Sequence, residues 1–176
     1  MTENDLSPLE TICARLESQR LPRWAELPDL ELYMDQVLGL VQRYLGAFPG
    51  FDEKGLTASM VNNYVKMGAL PPPQKKRYTR EHLARLLIIC ILKSSLPISS
   101  IGQLCADALS RTAEEVFYDS FCEMFEQAGC AAAQFHGSSD GPEGETVLRA
   151  ALRAQAEQAL AMTLFGARFS CPEEGE

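Results

Sequence analysis

Residues 56 to 86 read LTASMVNNYVKMGALPPPQKKRYTREHLARL, and the fold turns on this stretch. Thr57 is a natural N-cap and Gly68 a C-terminal stop, which predicts a helix over about 57–67. On that helix Met60, Tyr64 and Met67 share one side, flanked by Val61 and Val65. Ser59, Asn62, Asn63 and Lys66, three or four residues apart, share the other. Asparagine costs roughly 0.6 kcal/mol relative to alanine inside a helix, so two in succession need a partner or tolerance. An Asn amide can bond adenine N6 and N7 together in the major groove, and Lys66 can reach a guanine or a phosphate. Taken alone, the pair reads first as a solvated polar face.

The residues that follow change the weight of that reading. Pro71, Pro72 and Pro73 hold the chain extended. A proline-stiffened basic segment at this place would project as a wing, with Lys75, Lys76 and Arg77 set for phosphates and Arg80 as a fourth contact. Tyr64 and Tyr78 would brace the wing or add phosphate bonds. A short ribbon is expected around the prolines. Thr79 then caps a helix whose Leu83, Leu86, Leu87, Cys90 and Ile91 face inward.

Charge is distributed to match. The chain carries a formal net charge of −8, yet residues 54–93 hold eight basic residues against Glu81 alone. That local +7 leaves −15 on the other 136 residues. A cationic face on an anionic body fits a polyanion partner, although a solvated basic face accounts for charge by itself.

Elsewhere the periodicity is helical. Ser7-Pro8-Leu9-Glu10 is a capping box with proline at the first helical position, and Leu9, Ile12, Cys13 and Leu16 follow as an apolar stripe. Asp29 is expected to cap a second helix bearing Leu30, Met34, Val37, Val41, Tyr44, Leu45 and Phe48, which Pro49-Gly50 closes. Further helices are predicted from Ile98 to Leu109, over Ala113–Ala128 and over about 146–165, with a loop within 129–145. Acids at 114, 115, 119, 123 and 126 read as a solvated face. Phe117, Phe121 and Phe125 read as core.

Apolar residues make up 46% and charged residues 23% of the 176, ordinary for a globular chain. No apolar run is long enough to span a bilayer, and MTENDLSPLE lacks the features of a signal peptide, so a cytoplasmic location, on the nucleoid when bound, and no membrane partner are expected. Six cysteines form no zinc-ligand spacing, and no metal or cofactor is expected. His136, Ser138, Ser139 and Asp140 carry the side-chain types of a hydrolase triad without a nucleophile elbow, so no catalytic residue is assigned.

The segment Asn62-Asn63-Tyr64-Val65-Lys66-Met67-Gly68-Ala69-Leu70, followed by Arg77-Tyr78-Thr79 and the helix with Leu83, Leu86 and Ile89, resembles the winged helix-turn-helix of MerR-type regulators. Leu96-Pro97-Ile98-Ser99-Ser100-Ile101 is similar to that family's connection into its fourth helix. More closely, Leu56 to Leu92 resembles an uncharacterised bacterial domain family whose hallmark is Asn-Asn-Tyr-Val-Lys, Pro-Pro, Lys-Lys-Arg-Tyr. MerR regulators usually have arginine at the position of Asn62 and an aromatic at that of Asn63. A phosphate contact through that arginine therefore does not carry over, whereas Tyr64 and Arg77 match.

The resulting expectation is an all-α chain: a MerR-like winged helix-turn-helix over 51–110 with additional N- and C-terminal helices. Residues 1–50 would pack on it, 111–170 would serve dimerisation or sensing, and 171–176 would form a disordered tail. The expected function is sequence-specific DNA-binding regulation of transcription, the recognition helix 57–67 in the major groove and the wing 71–80 on phosphates. Its expected partners are double-stranded DNA and a second copy in a homodimer, with any small-molecule effector unspecified. Ser59, Asn62, Asn63 and Lys66 would touch bases, and Tyr64, Lys75, Lys76, Arg77, Tyr78 and Arg80 would touch phosphates. The alternative is a protein-interaction module on the same scaffold that no longer binds DNA.

Overall fold

The computed structural model describes residues 7–48, 51, 55–137 and 143–169. Among the described residues seven α-helices run in order: α1 Pro8–Ser18, α2 Met34–Leu45, α3 Ala58–Lys66, α4 Arg80–Leu92, α5 Ile98–Leu109, α6 Glu114–Gly137 and α7 Glu143–Phe169. A 3-10 turn spans Trp24–Glu26. Among the described residues there is no strand, only two isolated antiparallel bridges, Leu32–Tyr78 and Gln74–Arg77. The chain is all-α, as its periodicity predicts.

Helix α4 is the axis of the core. Every residue from His82 to Cys90 is buried, so the helix has no polar face, as expected of one enclosed on all sides. Val37, Val41 and Leu45 of α2, Val61 and Tyr64 of α3, Ile101 and Cys105 of α5, and Tyr118 and Phe121 of α6 join it in one cluster. Arg85 comes inside with them, 7% exposed, and meets Glu114 at 3.4 Å. It is therefore not part of any basic face.

The chain divides into two units, Met1–Gly137 and Ser138–Glu176. Boundaries near 50 and 110 are not found, because α6 packs along α1 and shares the core with α4 and α5. The α1 capping box forms as expected: the Ser7 N–H donates to Glu10 Oε2 at 2.7 Å, and the Glu10 N–H to Ser7 Oγ at 3.2 Å. Gly129 lets α1 and α6 approach, since a Cβ there would lie 2.7 Å from the Leu16 carbonyl oxygen. Helix α6 consequently runs through the segment expected to open a loop. Glycine costs a helix about 1 kcal/mol relative to alanine, and this close contact offsets it. Helix α7 likewise continues past Gly166 to Phe169.

Two further expectations are corrected. Asp29 does not cap α2, which starts at Met34, and Leu30 is exposed rather than inward. Leu32 is held extended by reciprocal hydrogen bonds with Tyr78, of 2.8 and 2.9 Å, so a helix cannot begin before it. The acids of α6 are not simply solvated. Asp119 accepts the Trp24 N–H at 2.7 Å, and Glu126 accepts from Nη1 and Nη2 of Arg23, at 3.0 and 2.6 Å. They fasten the 21–24 segment onto α6. Pro49-Gly50, Lys54, Ser138, Ser139, Asp140 and the 171–176 tail lie outside the described residues.

Candidate nucleic-acid interface

Helix α3 is short and closed at both ends. The Met60 N–H donates to Thr57 Oγ1 at 3.3 Å. At its other end Gly68 adopts φ +72°, the Ala69 N–H donates to the Tyr64 carbonyl at 3.0 Å, and the Gly68 N–H to the Val65 carbonyl at 3.1 Å. These are the two hydrogen bonds of a Schellman motif, whose left-handed residue favours glycine. Ala69 and Leu70 then enter the core. Val61 and Tyr64 anchor one side of α3, and Ser59, Asn62, Asn63 and Lys66 are all exposed. The structure thus brings the four expected base-contacting residues onto one solvent-facing surface. Asn63 Nδ2 lies 3.3 Å from Met67 Sδ, a weak acceptor that a better one could replace.

The proline segment ends in a tight hairpin. Gln74 and Arg77 form a bridge, with the Arg77 N–H donating to the Gln74 carbonyl at 2.8 Å. Lys75 and Lys76 occupy the two turn positions at φ +48° and +62°. Positive φ at both central residues marks a type I′ turn, which Asn-Gly fills most easily. Left-handed backbone costs an L-residue about 1–2 kcal/mol. Two exposed lysines are kept here against that cost, the kind of local strain that collects at functional positions.

Arg77 is partly exposed, with its guanidinium 3.6 Å from the centre of the Tyr33 ring. That stacking holds the cation at the hairpin base while leaving its N–H edges open. Arg80 is different. It is 19% exposed, pairs with Asp29 at 3.5 Å, lies over Trp24 and buries its Nε, so it is an internal contact rather than a fourth phosphate ligand. Tyr64 and Tyr78 are each 3% exposed. Burial takes both phenols from any phosphate, and it pushes the Tyr64 phenol up to about 12.

His82, in the first turn of α4 where a surface or capping residue is expected, is buried and caps the helix beside the hairpin. Its Nδ1 accepts the Thr79 N–H at 3.1 Å, and its ring stands edge-on to Tyr78 at 5.5 Å. An N–H directed at Nδ1 leaves the proton of a neutral ring on Nε2. That buried Nε2 lies toward the Pro72 and Pro71 carbonyls without a hydrogen bond of ordinary geometry. Burial holds the imidazole below its usual value of 6.5.

Residues 22–125 match the model of a domain of unknown function, DUF1836. The chain belongs to the DUF1836 family. Its DUF1836 domain takes in α2 to α5, the hairpin and the first half of α6, and so contains every candidate residue above. No curated protein and no solved structure matches the chain. Among the described residues no group of His, Cys, Asp or Glu could hold a metal ion, and no helix is long and apolar enough to cross a membrane.

Proposed function

We propose that this DUF1836 chain is a sequence-specific, double-stranded-DNA-binding regulator of transcription. Helix α3 enters the major groove with Asn62, Asn63 and Lys66 on base edges and Ser59 assisting. The hairpin lays Lys75, Lys76 and Arg77 on the flanking phosphates. One observation carries this reading: two lysines held in left-handed backbone at a hairpin tip, one proline-stiffened step after an exposed amide-rich helix face. A MerR-like winged helix-turn-helix accommodates these parts, with α2 and α3 as the helix pair, the hairpin as the wing and α4 as the helix beneath it. One departure is plain. Residues 46–57 separate α2 from α3, whereas a helix-turn-helix usually needs a turn of about three or four.

Selection of bound duplexes from a random pool, at low and at moderate salt, tests the proposal. Asn62→Ala and Asn63→Ala should each cost on the order of 1–3 kcal/mol on the selected site and little on random DNA. Lys76→Ala should weaken all duplexes alike. Recovery of no duplex from the pool, together with salt-sensitive capture of an acidic protein, would favour an interaction module. If the two classes of variant behaved alike on selected and random DNA, the assignment of roles would fail.

A further inference from the structure

One apolar side chain borders the amide face of α3. Spacing groups Met67 with Met60 and Tyr64 on the inward side, yet Met67 is 44% exposed at the C-cap of the helix. Among the described residues from 34 to 115 no other large apolar side chain is exposed. The Met67 N–H donates to the Asn63 carbonyl at 2.9 Å, so the last turn is regular and the two side chains are neighbours along the helix. Met67 therefore belongs to the surface that carries Asn63.

The chemistry of the two side chains fits together. An asparagine amide has two hydrogens on Nδ2 and an acceptor in Oδ1. In this structure Nδ2 donates to Met67 Sδ at 3.3 Å, which engages one hydrogen. The second hydrogen and Oδ1 are the donor and acceptor that adenine N7 and N6 require. The thioether thus fixes which way the amide faces, and its apolar groups flank the place an adenine would occupy. Side chains four apart on a helix lie about 5–6 Å apart at Cβ, whereas base pairs step by about 3.4 Å. Met67 consequently reaches the pair next to the one that Asn63 reads. The apolar group that bases present in the major groove is the thymine 5-methyl. An unbranched thioether adapts readily to such a contact.

We propose that Met67 determines specificity on the α3 face: it orients the Asn63 amide and packs on a thymine 5-methyl within one base pair of the adenine that Asn63 contacts. This rests on the DNA-binding reading above and adds to it a second base and the group by which that base is recognised.

Fluorescence anisotropy of the full chain on the duplex selected from the random pool tests it. The position whose discrimination Asn63→Ala loses marks the adenine. Each thymine is then replaced in turn by deoxyuridine, which lacks only the 5-methyl. At one thymine beside that adenine the wild type should lose about fourfold in affinity, as expected for one buried methyl group. Met67→Ala should bind the thymine and deoxyuridine duplexes equally, no more tightly than wild type binds the deoxyuridine one. Met67→Leu should restore the difference. Both variants should keep the wild-type circular dichroism, because the side chain is exposed. A wild type indifferent to every deoxyuridine, or a Met67→Ala chain that responds as wild type does, overturns the inference. The DNA-binding reading survives either result as long as Asn63→Ala still loses the selected site. A chain that selects no duplex overturns both.

Discussion

Gly102 of α5 lies against Ala69, so close that a Cβ on residue 102 would sit 3.0 Å from the Ala69 Cα and 3.4 Å from the Gly68 carbonyl oxygen. Helix α5 therefore presses on the turn that closes α3, and the orientation of the exposed amides depends on a residue remote in sequence. Gly102→Val should destabilise the chain by about 2 kcal/mol through overpacking against backbone that cannot swing aside. Gly102→Ala should cost less, because a gain of up to about 1 kcal/mol in helix propensity offsets the contact. Urea unfolding of the two variants checks the order. A Gly102→Val chain as stable as wild type would show that α5 does not clamp the turn.

Thr79 and His82 give the hairpin a dependence on acidity. The folded imidazole lies below 6.5 because burial disfavours its charged form, with Glu81 opposing and Arg85 reinforcing that shift. Between the folded and unfolded values the unfolded chain binds more protons, so stability rises with pH there. The contribution is full above 6.5 and is lost as pH falls toward the folded value. His82→Gln keeps an acceptor for the Thr79 N–H, as in a capping box, but cannot titrate. Urea midpoints at about pH 7.5 and about pH 5 should fall more for wild type than for His82→Gln. Glu114, whose carboxyl burial raises, acts with the opposite sign in both chains and cancels from the comparison. An equal fall in the two would remove His82 from this role.

Much of this fold is legible locally, and the failures share a cause. Ser7, Thr57 and Gly68 act through residues three to five away, so caps and stops could be read from the sequence. The hairpin was foreseeable from its prolines, although the left-handed backbone of Lys75 and Lys76 was not, since lysine gives no sign of it. Asp29 and Leu30 misled because the bridge that keeps Leu32 extended comes from Tyr78, far along the chain. By composition Arg80 and Arg85 are two free charges, whereas in the fold Asp29 and Glu114 lie beside them. Charge composition shows how many cations a segment holds, and tertiary contacts decide how many remain available. Gly129 looked like a loop signal and is a packing signal, a distinction that needs α1 in place.

The Arg85–Glu114 pair yields a prediction about stability alone. Arg85 is buried, and burial already raises the Glu114 carboxyl against the pull of the guanidinium. Arg85→Ala removes the partner and leaves a partly buried acid with neither compensation nor packing, at a cost of about 3 kcal/mol. Arg85→Met with Glu114→Gln refills the volume without charge and should recover most of that loss. Chemical denaturation of wild type, Arg85→Ala and the double variant compares the two losses. A single variant no worse than the double would mean that the charges do not interact.

Lys75 and Lys76 set stability against binding. Replacing the pair by Asn-Gly puts the preferred residues into the type I′ turn and relieves left-handed strain worth about 1 kcal/mol or more. Thermal unfolding should therefore move to higher temperature. The same change removes two of the three cations proposed for each subunit's phosphate contacts. With Lys75, Lys76 and Arg77 engaged on both subunits of a dimer, the logarithm of DNA affinity should fall against that of salt with a slope of about −5, and with Arg77 alone about −2. A pair retained for turn geometry would give no stability gain when replaced, and a pair retained only for solubility would leave the salt slope unchanged. Stabilisation together with a shallower slope is the outcome that a strained, polyanion-binding hairpin requires.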